Sequence, residues 1–595
     1  MASRYRRRIR GSQAVTTYGP GGIVDLRDES VMLAGLDEWR PHEDTRISEP
    51  NLESVLGVRY FQAPPPAGEW FQSSEGSIPV VLFPEWLVCP QCGRLARYST
   101  FVGVFQGTQA IRCQPCNRPA YPARLIAACR AGHIDDFPWE WWVHERQGDE
   151  CSGTPALKLK SLGRTATLGD LLVHCATCKA NTTLAGATFP ENLKDRQCSG
   201  RRPWLRDKEE CREKPIPLQR GASNVYFPIV VSGLSIPPWS KTIHTVIGKH
   251  WEMLGNLALK SPEALVLTIE AMNLPEKIGY SAEEIIGAVR QRLANEAPER
   301  GRISESELRF QEHLALRVGH GGGPTDGDFE VRETAVHSRL GPFVQRVSLV
   351  TRLREVRALR GFTRVMAPDP TNRVAVRPAP ISREWKPWLP AIEVRGEGIY
   401  LELNELRLTD WAQQAAIRER AGRLQGTYEE MCRQRHWDAG RPITPRLLLV
   451  HSLAHLVIRQ LSVDCGYSSA SLRERLYVFE PETDAGRAAV AGLLLYTGTV
   501  DSDGSLGGLV RQGLPERLLR TVENAIESAS WCASDPLCLE SEGQGQGALN
   551  LAACHACLLV SETSCEEFNR LLDRAMLIGP PGKPDAGFFA GLAQG

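Results

Sequence analysis

The chain lacks the short motifs that mark the commonest catalytic centres. Its 595 residues hold no G-x-x-x-x-G-K-[ST] run to cradle nucleotide phosphates, no G-x-S-x-G elbow and no H-E-x-x-H pair. An intrinsic P-loop ATPase, an α/β-hydrolase and a zincin are therefore not expected. No run of 18 apolar residues occurs, so no membrane span is expected. The opening MASRYRRRIRGSQAV is basic but has no apolar core, which argues against a secretory signal and for the cytoplasm. Net charge is also missing. Seventy basic and 70 acidic residues cancel, so any nucleic-acid surface must be a local patch. Lysine is scarce, 12 residues against 58 arginines. The planar guanidinium suits phosphate, although a GC-rich genome gives the same bias.

Cysteine is plentiful, with 17 residues. Without export, a reducing compartment argues against a disulfide framework and for metal. Cys89, Cys92, Cys113 and Cys116 form C-x2-C-x20-C-x2-C, the spacing of a zinc ribbon. The insert GRLARYSTFVGVFQGTQAIR reads as a β-hairpin that returns the second knuckle to the first. A redox pair would need a βαβ context that is absent. Cys175, Cys178, Cys198 and Cys211 form a looser second set. Between the two, Cys129, His133, His144 and Cys151 are potential ligands, while Trp139, Trp141 and Trp142 read as core. Near the C-terminus, Cys538, Cys554, Cys557 and Cys565 make the best quartet, with Cys532 spare or replacing Cys538. All-cysteine sets are closed and structural. Zinc is the expected ion, two to four per chain, and spacing leaves an iron–sulfur cluster open at the C-terminal set.

The expected organisation is α+β and multidomain. Residues 1–79 form an N-terminal segment with a Gly-Pro turn and an APPPAGE linker; 80–220 hold zinc-ribbon-like β lobes. Residues 221–380 read as a mixed, largely helical middle, with a capping box at Ser281 and Glu284. Residues 381–595 read as an α/β domain carrying the four-cysteine site. Within 343–377 there are eight arginines and two acids. At 100° per residue on a helix, Arg346, Arg354, Arg357 and Arg360 share one face, the best candidate for binding phosphates. A long helix is expected over 408–436, and a buried helix, too short for a bilayer, from Pro445. Its His451 and His455, at i and i+4, read as buried and hydrogen-bonded. Gly504, Gly507 and Gly508 precede a helix start and are candidates to approach a phosphate.

RLLLVHSLAHLVIRQL, LLLYTGTVDSDGSLGGLV and NLAACHACLLVSETSCEEFNRLLDRAM resemble the cysteine-bearing C-terminal domain of MrfA-type DNA repair helicases. GSQAVTTYGPGGIVDL, CRAGHIDDFPWEWWVH and LREVRALRGFTRV are similar to the DrmB-like proteins of the DISARM anti-phage defence system of bacteria. The resemblance implies a motorless subunit that pairs with a DrmA-like superfamily-two helicase, and a pair that binds DNA and discriminates invading from host DNA. It places the family's C-terminal cysteines at Cys538, Cys554, Cys557 and Cys565. The expectation is a non-catalytic accessory subunit with structural zinc and no membrane contact. Its rivals are a metal-dependent nuclease or hydrolase using His451, His455, Asp501 and Asp503, and a pure protein–protein adaptor.

Overall fold

The stretch expected to be an arginine-striped helix is a single β-strand. In the computed structural model, Val344–Thr363 runs extended for 20 residues. The structure describes residues 9–592, apart from 27–28, 66–77, 106–107, 149, 164–166, 297–301, 319–326, 370–376, 436, 438–439, 481–486 and 499–507. Val344, Val347, Val350, Thr351, Val356 and Thr363 are β-branched and favour the pleated surface. Most of the strand is buried on both faces, which removes the in–out alternation that marks a half-exposed strand. Register shifts at Val344/Arg346 and Val350/Leu353 disturb the period further.

This strand is the spine of an eight-stranded sheet. In chain order the strands are β1 (Arg46–Ile47), β2 (Tyr60–Gln62), β3 (Phe227–Leu234), β4 (Glu330–Thr334), β5 (Val344–Thr363), β6 (Trp388–Leu403), β7 (Leu472–Phe479) and β8 (Val490–Thr497). β5 and β6 pair antiparallel, with Val347 opposite Leu401 and Ala358 opposite Ala391. The other edge of β5 is covered by β3 and β4 in succession. The other edge of β6 takes β8, and then β2 in parallel. β7 closes on β8, and β1 on β2. The sheet thus draws strands from the N-terminal segment, the middle and the C-terminal part. The expected border at 380/381 falls between its two longest strands, which are direct neighbours.

Helices cover the sheet. Residues 242–318 supply α1 (Thr242–Lys249), α2 (Ala282–Glu296) and α3 (Glu305–Val318), with two ten-residue helices, Trp251–Lys260 and Pro262–Ala271, and the short Leu274–Ile278 between α1 and α2. The capping box is present: Glu284 N donates to Ser281 Oγ at 3.2 Å and Ser281 N to Glu284 Oε2 at 2.8 Å. The helix expected over 408–436 is two, α4 (Glu405–Ala412) and α5 (Ala415–Arg435). The buried Trp411 ends α4, its indole N–H bound to Ala586 O at 2.8 Å, and the chain turns before α5 begins.

α6 (Pro445–Cys465) starts on the cap formed by Thr444 Oγ1, which accepts from Leu447 N at 3.2 Å, and stops at Gly466 with φ +72°. At about 1.5 Å per residue its length would suffice for a bilayer, contrary to the expectation from sequence. Instead 72% of its apolar stretch is buried inside the protein, against β7, β8 and α7 (Pro515–Ala529).

The N-terminal half contributes a six-stranded sheet in the order 121–122, 86–88, 94–97, 157–161, 171–175, 181–183. The expected hairpin is there, Val102–Phe105 with Thr108–Cys113. Leu125–Ala128 stands between Ile134–Asp136 and Ile216–Gln219 in a separate small sheet. Trp139 and Trp142 are buried in a core beneath the first sheet.

Candidate metal centres

The cysteines are unpaired thiols gathered in groups, with only Cys432 and Cys465 outside them. Tetrahedral zinc with Zn–S bonds of about 2.3 Å sets its sulfurs roughly 3.8 Å apart. The groups can be judged against that spacing.

Cys89, Cys92, Cys113 and Cys116 converge as their spacing predicts, with Cys92 Sγ 3.7 Å from Cys113 Sγ. Each knuckle is the same turn. The residue after the second cysteine is left-handed, φ +70° at Gly93 and +49° at Asn117. Its N–H closes on the carbonyl of the first cysteine, at 2.9 Å to Cys89 O and 2.8 Å to Cys113 O. Glycine and asparagine tolerate that conformation best. At Gly93 a β-carbon would also lie 2.3 Å from Leu159 O. The Cys175–Cys178 knuckle repeats the turn, with Lys179 at φ +72° and its N–H 3.0 Å from Cys175 O.

The next two groups differ from the sequence reading. Cys175, Cys178, Cys198 and Cys211 do not meet, nor do Cys129, His133, His144 and Cys151. The ligand sets are nested, one inside the other along the chain. An outer group joins Cys129, His133, Cys198 and Cys211; an inner one joins His144, Cys151, Cys175 and Cys178. Sheet pairing is the cause. Ala128, beside Cys129, lies opposite Ile216 in the antiparallel pair that brings Cys211 back. Leu157, shortly after Cys151, lies opposite Cys175.

Both groups orient their histidine from behind. His133 Nδ1 is 3.4 Å from Cys129 Sγ while its Nε2 is 2.7 Å from Glu209 Oε1. His144 presents Nε2 to Cys178 Sγ at 3.3 Å while its Nδ1–H donates to Glu140 O at 2.9 Å. Such outer partners fix the tautomer and the ring of a metal ligand.

At the C-terminus Cys532, not Cys565, completes the quartet with Cys538, Cys554 and Cys557. Cys532 Sγ lies 3.5 Å from Cys554 Sγ, and Cys538 and Cys554 each lie 3.7 Å from Cys557. Cys565 sits instead with His451, His455 and Glu474, all buried. The histidines are hydrogen-bonded, as expected, but the acid beside them is Glu474. Asp501 and Asp503 lie outside the described residues.

Thiolate formation is favoured at chosen positions. Burial opposes ionisation of Cys92, Cys175 and Cys554, but backbone N–H groups and neighbouring side chains outweigh it. They bring the thiols down to about 7, about 6 and about 7. The donor sets, spacings and backing bonds fit zinc.

Two of the four arginines expected to touch phosphate, Arg354 and Arg357, are structural. On a strand, Arg354 and Arg357 point to opposite faces. Arg354 is 1% exposed: it donates to Glu393 Oε1 at 3.0 Å, Ser235 Oγ at 2.7 Å and Ser48 O at 3.1 Å, with Glu49 3.6 Å away. Arg357 is buried on Glu355 at 2.6 Å. Arg346 is paired with Glu333 at 2.7 Å, and Arg360 is half-buried. The four share no outward face because the helix that would have made one does not exist. The N-terminal Gly-Pro stretch is a plain turn, and among the later glycines the described one offers little to a phosphate. Gly21 N and Gly22 N are spent on Leu33 O and Gly19 O at 2.9 and 2.7 Å. Gly504 and Gly507 lie outside the described residues. Gly508 opens a helix whose Leu509 N–H is already held by Glu397 Oε1 at 2.7 Å.

These features define a class: a multidomain protein of mixed α and β structure, built round one largely antiparallel eight-stranded sheet, with structural zinc as cofactor. Residues 453–558 match the family described as the MrfA Zn-binding domain, and residues 10–227 match a domain of unknown function, DUF8724. The chain belongs to the DrmB family. It is 33% identical over 590 residues to the DISARM protein DrmB of Bacillus paralicheniformis, which covers 96% of this chain and all of that one. Among solved structures, the DUF1998 helicase MrfA bound to DNA is 12% identical over 41% of this chain and 24% of that one. Its TM-score of 0.16 is too low to equate the folds.

Proposed function

We propose that the chain is a non-catalytic accessory subunit of an anti-phage defence complex, acting in the cytoplasm. It binds a DrmA-like superfamily-two helicase and contributes to DNA binding and to recognition of invading DNA. Zinc at the inner, outer, N-terminal and C-terminal sets holds its lobes in the shape that the partner meets. The observation that carries this reading is the likeness to a DISARM protein along essentially the whole of both chains. The ligand chemistry supports it. Each set offers four protein donors, as structural zinc does, whereas catalytic zinc keeps a position open for water or substrate. Arg354 and Arg357 are left out of the DNA surface, since exposing them would break buried ion pairs.

The test is co-expression with a DrmA-like superfamily-two helicase. Copurification, and an ATPase rate that DNA stimulates further when the chain is present, is the expected result. Log affinity for DNA should fall linearly with log salt, by about 0.9 per phosphate neutralised. Hydrolysis of nucleic acid by the isolated chain, abolished by His451→Ala, would replace this reading with the hydrolase. A stable complex with no gain in DNA binding would reduce the chain to an adaptor.

A further inference from the structure

We infer that His451, His455, Glu474 and Cys565 form a fifth metal site, taking a four-coordinate divalent cation of the zinc class. The inference does not depend on the proposed function. His451 and His455 lie one turn apart on α6, Glu474 comes from β7, and Cys565 from the C-terminal segment that follows the Cys554–Cys557 knuckle. All four donor atoms lie within 4.8 Å of one another. His451 Nε2 is 3.2 Å from Cys565 Sγ and 3.1 Å from Glu474 Oε1; His455 Nε2 is 3.6 Å from Glu474 Oε2. Bonds of about 2.0–2.3 Å at tetrahedral angles put donors roughly 3.3–3.8 Å apart, close to these separations.

Every ligand is aimed by the backbone. His451 Nδ1–H donates to Leu571 O at 3.1 Å and His455 Nδ1–H to Leu558 O at 3.0 Å. Both rings therefore turn an unprotonated Nε2 inward. Glu566 N donates to Glu474 Oε1 at 3.0 Å. Glu567 N and Asn569 N donate to Cys565 Sγ at 3.3 and 3.2 Å. What remains unsatisfied faces the centre: His455 Nε2 and Glu474 Oε2 are buried with no hydrogen-bond partner. An orphaned pair of this kind is costly in a closed core, and a cation removes the cost.

Charge and softness point the same way. A divalent ion with one carboxylate, one thiolate and two neutral imidazoles sums to zero, which suits a site with no solvent. Binding expels the thiol proton of Cys565 to solvent. Two nitrogens, one oxygen and one sulfur form a borderline set that suits zinc and its first-row neighbours better than calcium or magnesium. Four protein ligands and full burial leave no place for substrate, so the ion clamps α6 to β7 and to the C-terminal segment. His455 also touches the carbonyl that follows Cys557, which ties this site to the C-terminal quartet.

The test is element-resolved metal counting on the full chain, together with anomalous diffraction at the edge of the metal found. Five equivalents per chain are expected, falling to four in Cys565→Ser and in His455→Gln. A peak is expected among the four donor atoms of the wild type. Four equivalents in the wild type, with no peak there, overturn the site. If the variants do not fold, the wild-type anomalous map decides alone.

Discussion

Glu209 Oε1 rests 2.7 Å from His133 Nε2, on the far side of the ring from Cys129. The carboxylate raises the basicity of the imidazole and locks the tautomer that offers Nδ1 to the ion. Replacing it removes no ligand. Glu209→Gln should weaken zinc at this one set by about 10- to 100-fold. Titration with a chromophoric chelator checks this: one ion should be released early and the others at wild-type concentrations.

The nested ligand order makes a sharper claim. Cys175→Ser combined with Cys198→Ser strikes both the inner and the outer group and should cost two ions. Cys175→Ser combined with Cys178→Ser strikes only the inner group and should cost one. Were all four cysteines one site, both double variants would lose a single ion. Metal counting on the folded variants separates the two arrangements.

How much of this was legible in the sequence differs by element. Cys89, Cys92, Cys113 and Cys116 were readable because a ribbon carries its own hairpin, so spacing alone fixes who meets whom. The nested groups were not, because their partners are chosen by sheet register: Ala128 against Ile216, Leu157 against Cys175. A C-x3-H followed much later by two cysteines was the only signal. β5 misled for a related reason. A strand buried on both faces shows no alternation, and its arginines happened to fit a helical period. Cys565 was misplaced since sequence proximity to Cys557 outweighed a contact made through α6 and β7. By contrast the capping box at Ser281 and the Pro445 start and buried core of α6 are local chemistry, and they were legible.

Arg354 lies on β5 between β6 and the residue that follows β3, against the loop that carries Glu49. Arg354→Ala would leave Glu49 and Glu393 facing a buried gap. Removing one partner of a buried ion pair costs about 3–5 kcal/mol. An unfolding free energy lowered by that amount, read as a lower denaturation midpoint at unchanged m-value, is expected. The salt dependence of DNA binding by the folded variant with its helicase should match the wild type. A flattened salt slope would return Arg354 to the DNA surface.

Metal removal should act on the lobes rather than on local chemistry. Structural zinc contributes on the order of 10–16 kcal/mol in peptide systems, as much as a whole domain's net stability of about 5–15 kcal/mol. The sheet holding residues 86–183 has its knuckles at strand ends, so its strands lose their anchors with the ions. Chelation should abolish the near-ultraviolet circular dichroism from Trp139 and Trp142 and open this region to protease. Re-addition of zinc under reducing conditions should restore both. Retention of the signal after complete metal loss would show that packing alone suffices.

Glu49 gives the fold a pH dependence of predictable sign. Burial pushes its carboxyl up from 4.5 to about 7, against the pull of Arg354 and the Ser235 hydroxyl. Between those two values the folded chain holds a proton that the unfolded chain has released. Stability therefore declines as pH rises through this window, by up to about 1.4 kcal/mol per unit, and levels off above it. Glu49→Gln mimics the protonated carboxyl. It should match the wild type near the lower limit and exceed it in stability above the upper one. Asp136, pushed by burial to about 7 as well, keeps its own share of the slope in the variant. The decline should therefore shrink without vanishing. Chemical denaturation at steps across the window measures it, and superimposable curves for the two proteins would mean that Glu49 ionises at its ordinary pH in the fold.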